Sequence, residues 1–354
     1  LAPADVDGGS FDVCAQAIIL VSTDVTSVGC SDVGVNPVVL TVSDQSGNTA
    51  TCGTTVTVED NVAPTATCQD VTVYLDANGD GTTTPALVDN GSWDACGIAS
   101  LVLDNDAFTC GDIVNNPNTV TLTVTDNNGN TAECTANVMV IDNVPPTAIC
   151  QDVTVQLDAN GDGSTTAALV DNGSNDACGI AGLSLDNTDF TCSDIVNNPN
   201  TVVLTVTDNN GNTSSCSASV EVQDNVPPVA LCQDVTIELD AAGSASTTAA
   251  AVDDGSNDAC GILSLALDQS TFDCSETGGN PVVLTVTDNN GNISTCGATV
   301  TVEDNIPPTI LSDANNSTVE CDGAGNLTDL NSWLTSNGGA SATDNCINVT
   351  WSHD

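Results

Sequence analysis

A block of about 80 residues repeats along this chain, and the repeat fixes the scale of what it can fold into. Cys68-Gln69-Asp70-Val71-Thr72-Val73 returns at Cys150 and at Cys232, a step of 82 residues each time. Asp94-Ala95-Cys96-Gly97-Ile98 returns at Asp176 and Asp258, and Thr125-Asp126-Asn127-Asn128-Gly129-Asn130 returns at Thr207 and Thr287. The repeats predict three full modules over 64–145, 146–227 and 228–307, a partial module over 1–63 and another over 308–354.

Within a module the pattern is antiparallel β. In Asn118–Asp126, Val120, Leu122 and Val124 alternate with threonine, a period of two with one buried face. Asn-Asn-Gly-Asn follows as a hairpin turn, and 135–141 makes the returning strand. Such strands in a block this short predict an all-β fold, a linear tandem array of immunoglobulin-like antiparallel β-sandwich modules. Phe108, Phe190 and Phe272 recur two residues before a cysteine and are predicted core; Trp93, which is Asn175 and Asn257 in the other copies, is predicted surface.

The charge is as unusual as the repeat. The chain of 354 residues has no Lys, no Arg, 48 Asp+Glu and one His, a formal charge of −48. Nucleic-acid binding needs cations against phosphate, and attraction to anionic lipid needs them too. Kinases and P-loop NTPases hold phosphate with Lys or Arg. None of these functions fits. A hydrophobic fraction of 40% and a mean hydropathy of +0.07 argue that the chain folds despite its charge. Its acids must then be screened, and divalent cations are the obvious agent. No apolar run is long enough for a membrane span, so no membrane insertion is expected. The chain starts at Leu1-Ala2-Pro3, as a processed mature chain or a window of a longer one would.

The linker Asp-Asn-Val-Pro-Pro at 142–146 and 224–228, the Cys-Gln-Asp-Val-Thr-Val start, the Asp-Ala-Cys-Gly middle and the Thr-Asp-Asn-Asn-Gly-Asn hairpin together resemble HYR-type immunoglobulin-like repeats. Those repeats occur in tandem in large bacterial surface and secreted proteins, notably of the Bacteroidota. The resemblance runs over essentially the whole chain, including 319–354, and implies extracellular structural or adhesive work without catalysis. It is a likeness of fold and does not by itself fix function.

Each full module carries four cysteines, which in a secreted protein indicates disulfides. Four cysteines allow three connectivities. The favoured one closes a short loop, Cys96–Cys110, Cys178–Cys192 and Cys260–Cys274 with Cys14–Cys30 in the first module, and a long one, Cys68–Cys134, Cys150–Cys216 and Cys232–Cys296. Zinc is the rival reading, weakened by the absence of Cys-x-x-Cys pairs. Cys52 and Cys321 are left over. They suggest that a tail strand of one subunit completes the head module of the next, with a Cys52–Cys321 bond between chains and a head-to-tail homopolymer as the result. The plainer alternative is that the neighbouring modules of a longer chain supply both partners.

The acids cluster in three places. Asp76-x-Asn78-x-Asp80-Gly81, repeated as Asp158-x-Asn160-x-Asp162-Gly163, matches the first half of a calcium loop, but position twelve is Leu87 or Leu169, and an Asx-rich turn reads equally from it. The linkers carry Asp60, Asp142-Asn143, Asp224-Asn225 and Asp304 before proline, similar to the calcium-binding linkers between cadherin domains. The middle loops carry Asp94, Asp176 and Asp258. In a tandem sandwich these face one junction, which predicts Ca2+ sites such as Asp76 and Asp80 with Asp142 and Asp176. Hard oxygen donors favour Ca2+ over transition metals.

Nothing singles out one carboxylate pair for hydrolysis, and His353, the one histidine, has no nucleophile to serve, so no enzyme is expected. Glycan acceptors occur at Asn90, Asn172, Asn212, Asn292, Asn315, Asn316, Asn326 and Asn348. The first functional expectation is a subunit or segment of an extracellular filament, rigidified by Ca2+ and disulfides. The second is the stalk of a calcium-dependent adhesin or a carbohydrate-binding surface protein.

Overall fold

The computed structural model describes residues 1–13, 18–319, 323, 327–346 and 349–352. The fold is all-β, a tandem series of immunoglobulin-like modules. Most helices are single turns of three or four residues, and the longest, Leu327–Thr335, has nine. Among the described residues no helix is long and apolar enough to cross a membrane. The chain divides into two compact units: 1–148 with 174–183 and 205–214, and 149–173 with 184–204 and 215–354.

The first full repeat shows how the pattern becomes a sandwich. Asn118–Asp126 and Thr131–Ile141 form a hairpin in the register Leu122 to Cys134 and Val124 to Ala132. Ile98–Leu103 pairs antiparallel on one side of it, and Val71–Tyr74 pairs parallel on the other, Val71 to Val138. A short ribbon of Asp80–Thr82 and Ala107–Thr109 forms the second sheet. The alternation then does its work. Val120, Leu122 and Val124 turn inward with Val138 and Val140 and meet Val73, Leu75, Val88 and Phe108 in one core. Burial of each such side chain is worth about 1.5–3 kcal/mol. The second unit holds the same core, with Phe272 against Val282, Leu284, Val286, Val300 and Val302. Trp93 lies at the surface.

Each hairpin turn is held by an aspartate. Asp126 is almost fully buried, yet its Oδ1 accepts the N–H groups of Asn128 (2.8 Å) and Asn130 (2.9 Å), and its Oδ2 accepts the Asn130 side-chain amide (2.8 Å). Burial works against the charge; these hydrogen bonds outweigh it and hold the carboxyl below its usual range. Asp208 and Asp288 repeat the arrangement.

The disulfides depart from the short-loop expectation. Cys68–Cys134, Cys150–Cys216 and Cys232–Cys296 each tie the start of a repeat to its last strand. The remaining cysteines bond across repeats: Cys30–Cys96, Cys110–Cys178, Cys192–Cys260 and Cys274–Cys346. The pairs Cys96–Cys110, Cys178–Cys192 and Cys260–Cys274 are therefore overturned, and Cys30 is not available to Cys14, which lies outside the described residues. Geometry explains the change. The six-residue strand Ile98–Leu103 separates Cys96 from Cys110, so the two lie roughly 20 Å apart along the strand, whereas a disulfide needs its Cα atoms within about 7 Å. Cys96 sits beside the hairpin turn, where Asn127 donates to its carbonyl. Cys110 sits at the other end, against Gly79 in the turn after the opening strand. Each inter-repeat bond closes a loop of 66 to 72 residues, worth about 4 kcal/mol on the chain-entropy model.

Because the chain lacks Lys and Arg, trypsin cannot map these bonds, but pepsin under non-reducing conditions can. Peptides joining Cys110 to Cys178 and Cys192 to Cys260 are the expected result; a Cys96–Cys110 peptide would refute the inter-repeat ladder.

Candidate metal centre

The linker after a repeat begins where its last strand ends, and the first linker residue is an aspartate. At the end of Thr131–Ile141 this is Asp142, 7% exposed. Its Oδ1 accepts the N–H of Val144 (3.0 Å), while its Oδ2 is buried without a hydrogen-bond partner. Its carbonyl accepts the side-chain amide of Asn212, from the hairpin turn of the following repeat. A second carboxylate comes from the Asp-Ala-Cys-Gly loop of that repeat. Asp176 Oδ1 accepts the N–H of Cys178 (2.8 Å), which fixes the loop. One oxygen each of Asp142 and Asp176 and the sulfur of Cys178 lie within 4.8 Å of one another. Cys178 is bonded to Cys110, so its sulfur is no thiolate, and the donors of the group are the two carboxylates.

The arrangement recurs. Asp224, also 7% exposed and with an unpartnered buried Oδ2, meets Asp258 beside Cys260. Asp60, whose Oδ2 is likewise buried and unpartnered, meets Asp94 beside Cys96, and Asp304 meets Asp344 beside Cys346.

Burial pushes the Asp142 carboxyl above its usual range; the Val144 N–H opposes this, and the charges of Asp176 and Asp208 add to it. Asp224 is raised in the same way, by burial and then by Asp258 and Asp288 against the pull of the Val226 N–H. Like charges this close repel by a few kcal/mol at a surface-like dielectric, and no cationic side chain exists anywhere in the sequence to offset them. A carboxylate with an orphaned buried oxygen, set beside a second carboxylate, fits a hard divalent cation. Calcium takes six to eight such oxygens, so carbonyls or water would complete its shell.

The other acids named from the sequence lie elsewhere. Asp76 Oδ1 accepts the N–H groups of Asn78 (2.8 Å) and Asp80 (3.1 Å), and these bonds, the one from Asp80 first, hold its carboxyl below the usual range. Asp158 does the same for Asn160 and Asp162. The third copy keeps both bonds, Asp240 to Ala242 and Ser244, although it lacks the other polar residues. These segments are turns closed by one aspartate. Asp76, Asp80, Asp158 and Asp162 join none of the metal-compatible groups among the described residues. Asn143 and Asn225 are exposed, and Asn225 donates to Gln156.

Two acceptor sequons are excluded by the same junction. The Asn212 amide donates to Asp208 and Asp142, and the Asn292 amide to Asp288 and Asp224, so neither is free for a glycan. Asn90, Asn172, Asn315 and Asn316 are exposed; Asn326 and Asn348, like Cys321 and His353, lie outside the described residues.

No protein-family model matches the chain. Hyalin from Strongylocentrotus purpuratus is 28% identical over 327 residues, which is 86% of this chain and 26% of Hyalin. The chain thus spans about a quarter of that relative's length, and the relative lends no support to a bacterial origin. Among solved structures, the extracellular domain of Protocadherin GammaB4 is 16% identical and covers 82% of this chain and 57% of its own, with a TM-score of 0.27. An I-band fragment of titin is 12% identical and covers 68% of this chain and 99% of its own, with a TM-score of 0.30.

Proposed function

We propose that this chain is a structural segment of an extracellular fibre, in which disulfides and Ca2+ fix each repeat to the next. The observation that carries the reading is the buried, unpartnered oxygen of Asp142 and of Asp224, on carboxylates that each meet a second one in a chain without Lys or Arg. Seven disulfides among the described residues belong to an oxidising, extracellular setting. A bond such as Cys110–Cys178 limits how far two repeats can separate, and the proline-containing linker shortens the joint's range further. Asp142 with Asp176, and Asp224 with Asp258, would hold the ion; its charge supplies the attraction these carboxylates lack. With it bound, bending the joint would pull ligands apart. The division into modules over 64–145, 146–227 and 228–307 belongs to the same proposal.

Association along the fibre would use the first sheet. In the full repeats the last long strand pairs with a parallel opening strand. Among the described residues Thr49–Val58 has no such neighbour; its sheet contains only Ile19–Thr23, Gly34–Ser43 and itself. Cys52 stands opposite Leu40 as Cys134 stands opposite Leu122, and it is exposed and unbonded. A parallel strand preceded by cysteine, from a second copy or from a neighbouring repeat of a longer chain, fits this edge. Cys321 is the proposed partner in a second copy.

Calcium at 100 times its dissociation constant should stabilise by about 2.7 kcal/mol per site, raising Tm, with EDTA reversing the effect. The variant D142N should melt higher than wild type in EDTA, because a repelled charge is gone, and gain less from Ca2+. A Tm indifferent to both Ca2+ and EDTA would count decisively against the reading. For the strand exchange, a non-reducing gel should show a ladder that collapses to monomer on reduction; monomer in both lanes would remove the covalent link between copies.

A further inference from the structure

The four linker carboxylates are not equivalent, and one residue separates them. Between the aspartate and the cysteine of the middle loop stands Ala95, Ala177 or Ala259 in three copies and Asn345 in the fourth. This position lies against the turn of the preceding repeat. A Cβ built on Gly79 would come within 3.1 Å of the Ala177 methyl, one on Gly161 within 3.1 Å of the Ala259 methyl, and one on Gly243 within 2.8 Å of the Asn345 carbonyl oxygen. All three glycines have positive φ, and each turn lies against its loop, through the alanine methyl in two copies and through the Asn345 carbonyl in the third.

The side chain of Asn345 uses the space that alanine leaves open. Its amide Nδ2 donates to the carbonyl of Asp240, in the turn, at 3.3 Å, and to the linker carboxylate, Asp304 Oδ1, at 3.1 Å. A neutral N–H donor there bridges the turn and the linker carboxylate; the oxygen it meets, Asp304 Oδ1, also accepts the N–H of Ile306 (3.2 Å), and the Asn345 amide oxygen is itself buried without a partner. At the alanine joints no such amide stands there, and among the described residues the buried carboxylate oxygens without a partner are the Oδ2 atoms of Asp60, Asp142 and Asp224. Asp142 and Asp224 are more than nine-tenths buried, so their orphaned oxygens are a demand for a ligand and more than a crowd of surface acids.

We infer that the residue between Asp and Cys in this loop decides which joints take a divalent cation: alanine leaves the place open, and Asn345 fills it with its own amide. The inference rests on the calcium reading above and sharpens it. It makes the Asp304 joint independent of metal. It also names a further ligand at two of the others, the main-chain carbonyl of Asp76 for the Asp142 joint and of Asp158 for the Asp224 joint, because the equivalent carbonyl of Asp240 is one of the two oxygens that the Asn345 amide meets. A cation attracts the same oxygens that a pair of N–H groups does, with more charge to offer.

The test is a count of Ca2+ per chain by native mass spectrometry, on the disulfide-intact protein after exchange into dilute CaCl2. Wild type should hold three ions. A177N should hold one fewer and A177N/A259N two fewer, whereas N345A should gain one. Disulfide mass and Tm in EDTA report whether each variant folds, and A259N gives an independent copy should A177N fail. Unchanged counts in A177N and A259N overturn the inference while leaving the calcium reading standing, as does a lower count in N345A, which would make the amide oxygen a ligand. A wild-type protein that binds no Ca2+ removes both.

Discussion

The constraint from which the rest follows is negative charge that the chain cannot neutralise by itself. With 48 acids and no Lys or Arg, every carboxylate must be satisfied by N–H groups, by water or by something from outside. The protein uses the first solution wherever it can. Asp76, Asp126 and Asp158 each accept main-chain N–H groups two and four residues on, and this is what shapes the turns. The linker aspartates are where that solution runs out. Asp142 receives one N–H from Val144, its other oxygen is buried with nothing to accept from, and its carboxylate meets that of Asp176.

Covalent and electrostatic contacts meet at these same places. The loop that presents Asp176 is the loop whose Cys178 is bonded back to Cys110. Its aspartate accepts the N–H of that cysteine, and its cysteine carbonyl accepts the Asn209 side-chain amide. The disulfide therefore brings the second carboxylate to the linker despite the repulsion between them. A bond worth about 4 kcal/mol is of the right size to oppose two like charges of a few kcal/mol. Bound calcium would turn that opposition into attraction.

Much of this was legible before the structure. The period-two alternation of Val120, Leu122 and Val124 marks one buried face, and the fold follows from it. The linker aspartates and the Asp-x-Cys loops could be named because they recur. What was misread has physical causes. A separation of fourteen from Cys96 to Cys110 suggests a closed loop only if the strand between them is overlooked; Ile98–Leu103 carries the two cysteines to opposite ends. Asp76-x-Asn78-x-Asp80 suggests a metal loop, but the Asp240 copy, with Ala242 and Ser244, already signalled that one aspartate suffices for the turn. The sequons at Asn212 and Asn292 were formal matches; burial of their amides at the junction is tertiary and leaves no trace in a three-residue motif. Asn345 was visible as a departure from alanine between Asp and Cys, as Val13 is in the first module, yet its meaning needed the distance to Asp304.

The most direct test of the central claim is an anomalous difference map from crystals in which Tb3+ replaces Ca2+. The account predicts strong peaks between Asp142 and Asp176 and between Asp224 and Asp258. Bound terbium found only on exposed acids, with both junctions featureless and the Asp142 carboxylate turned out to solvent, would contradict it.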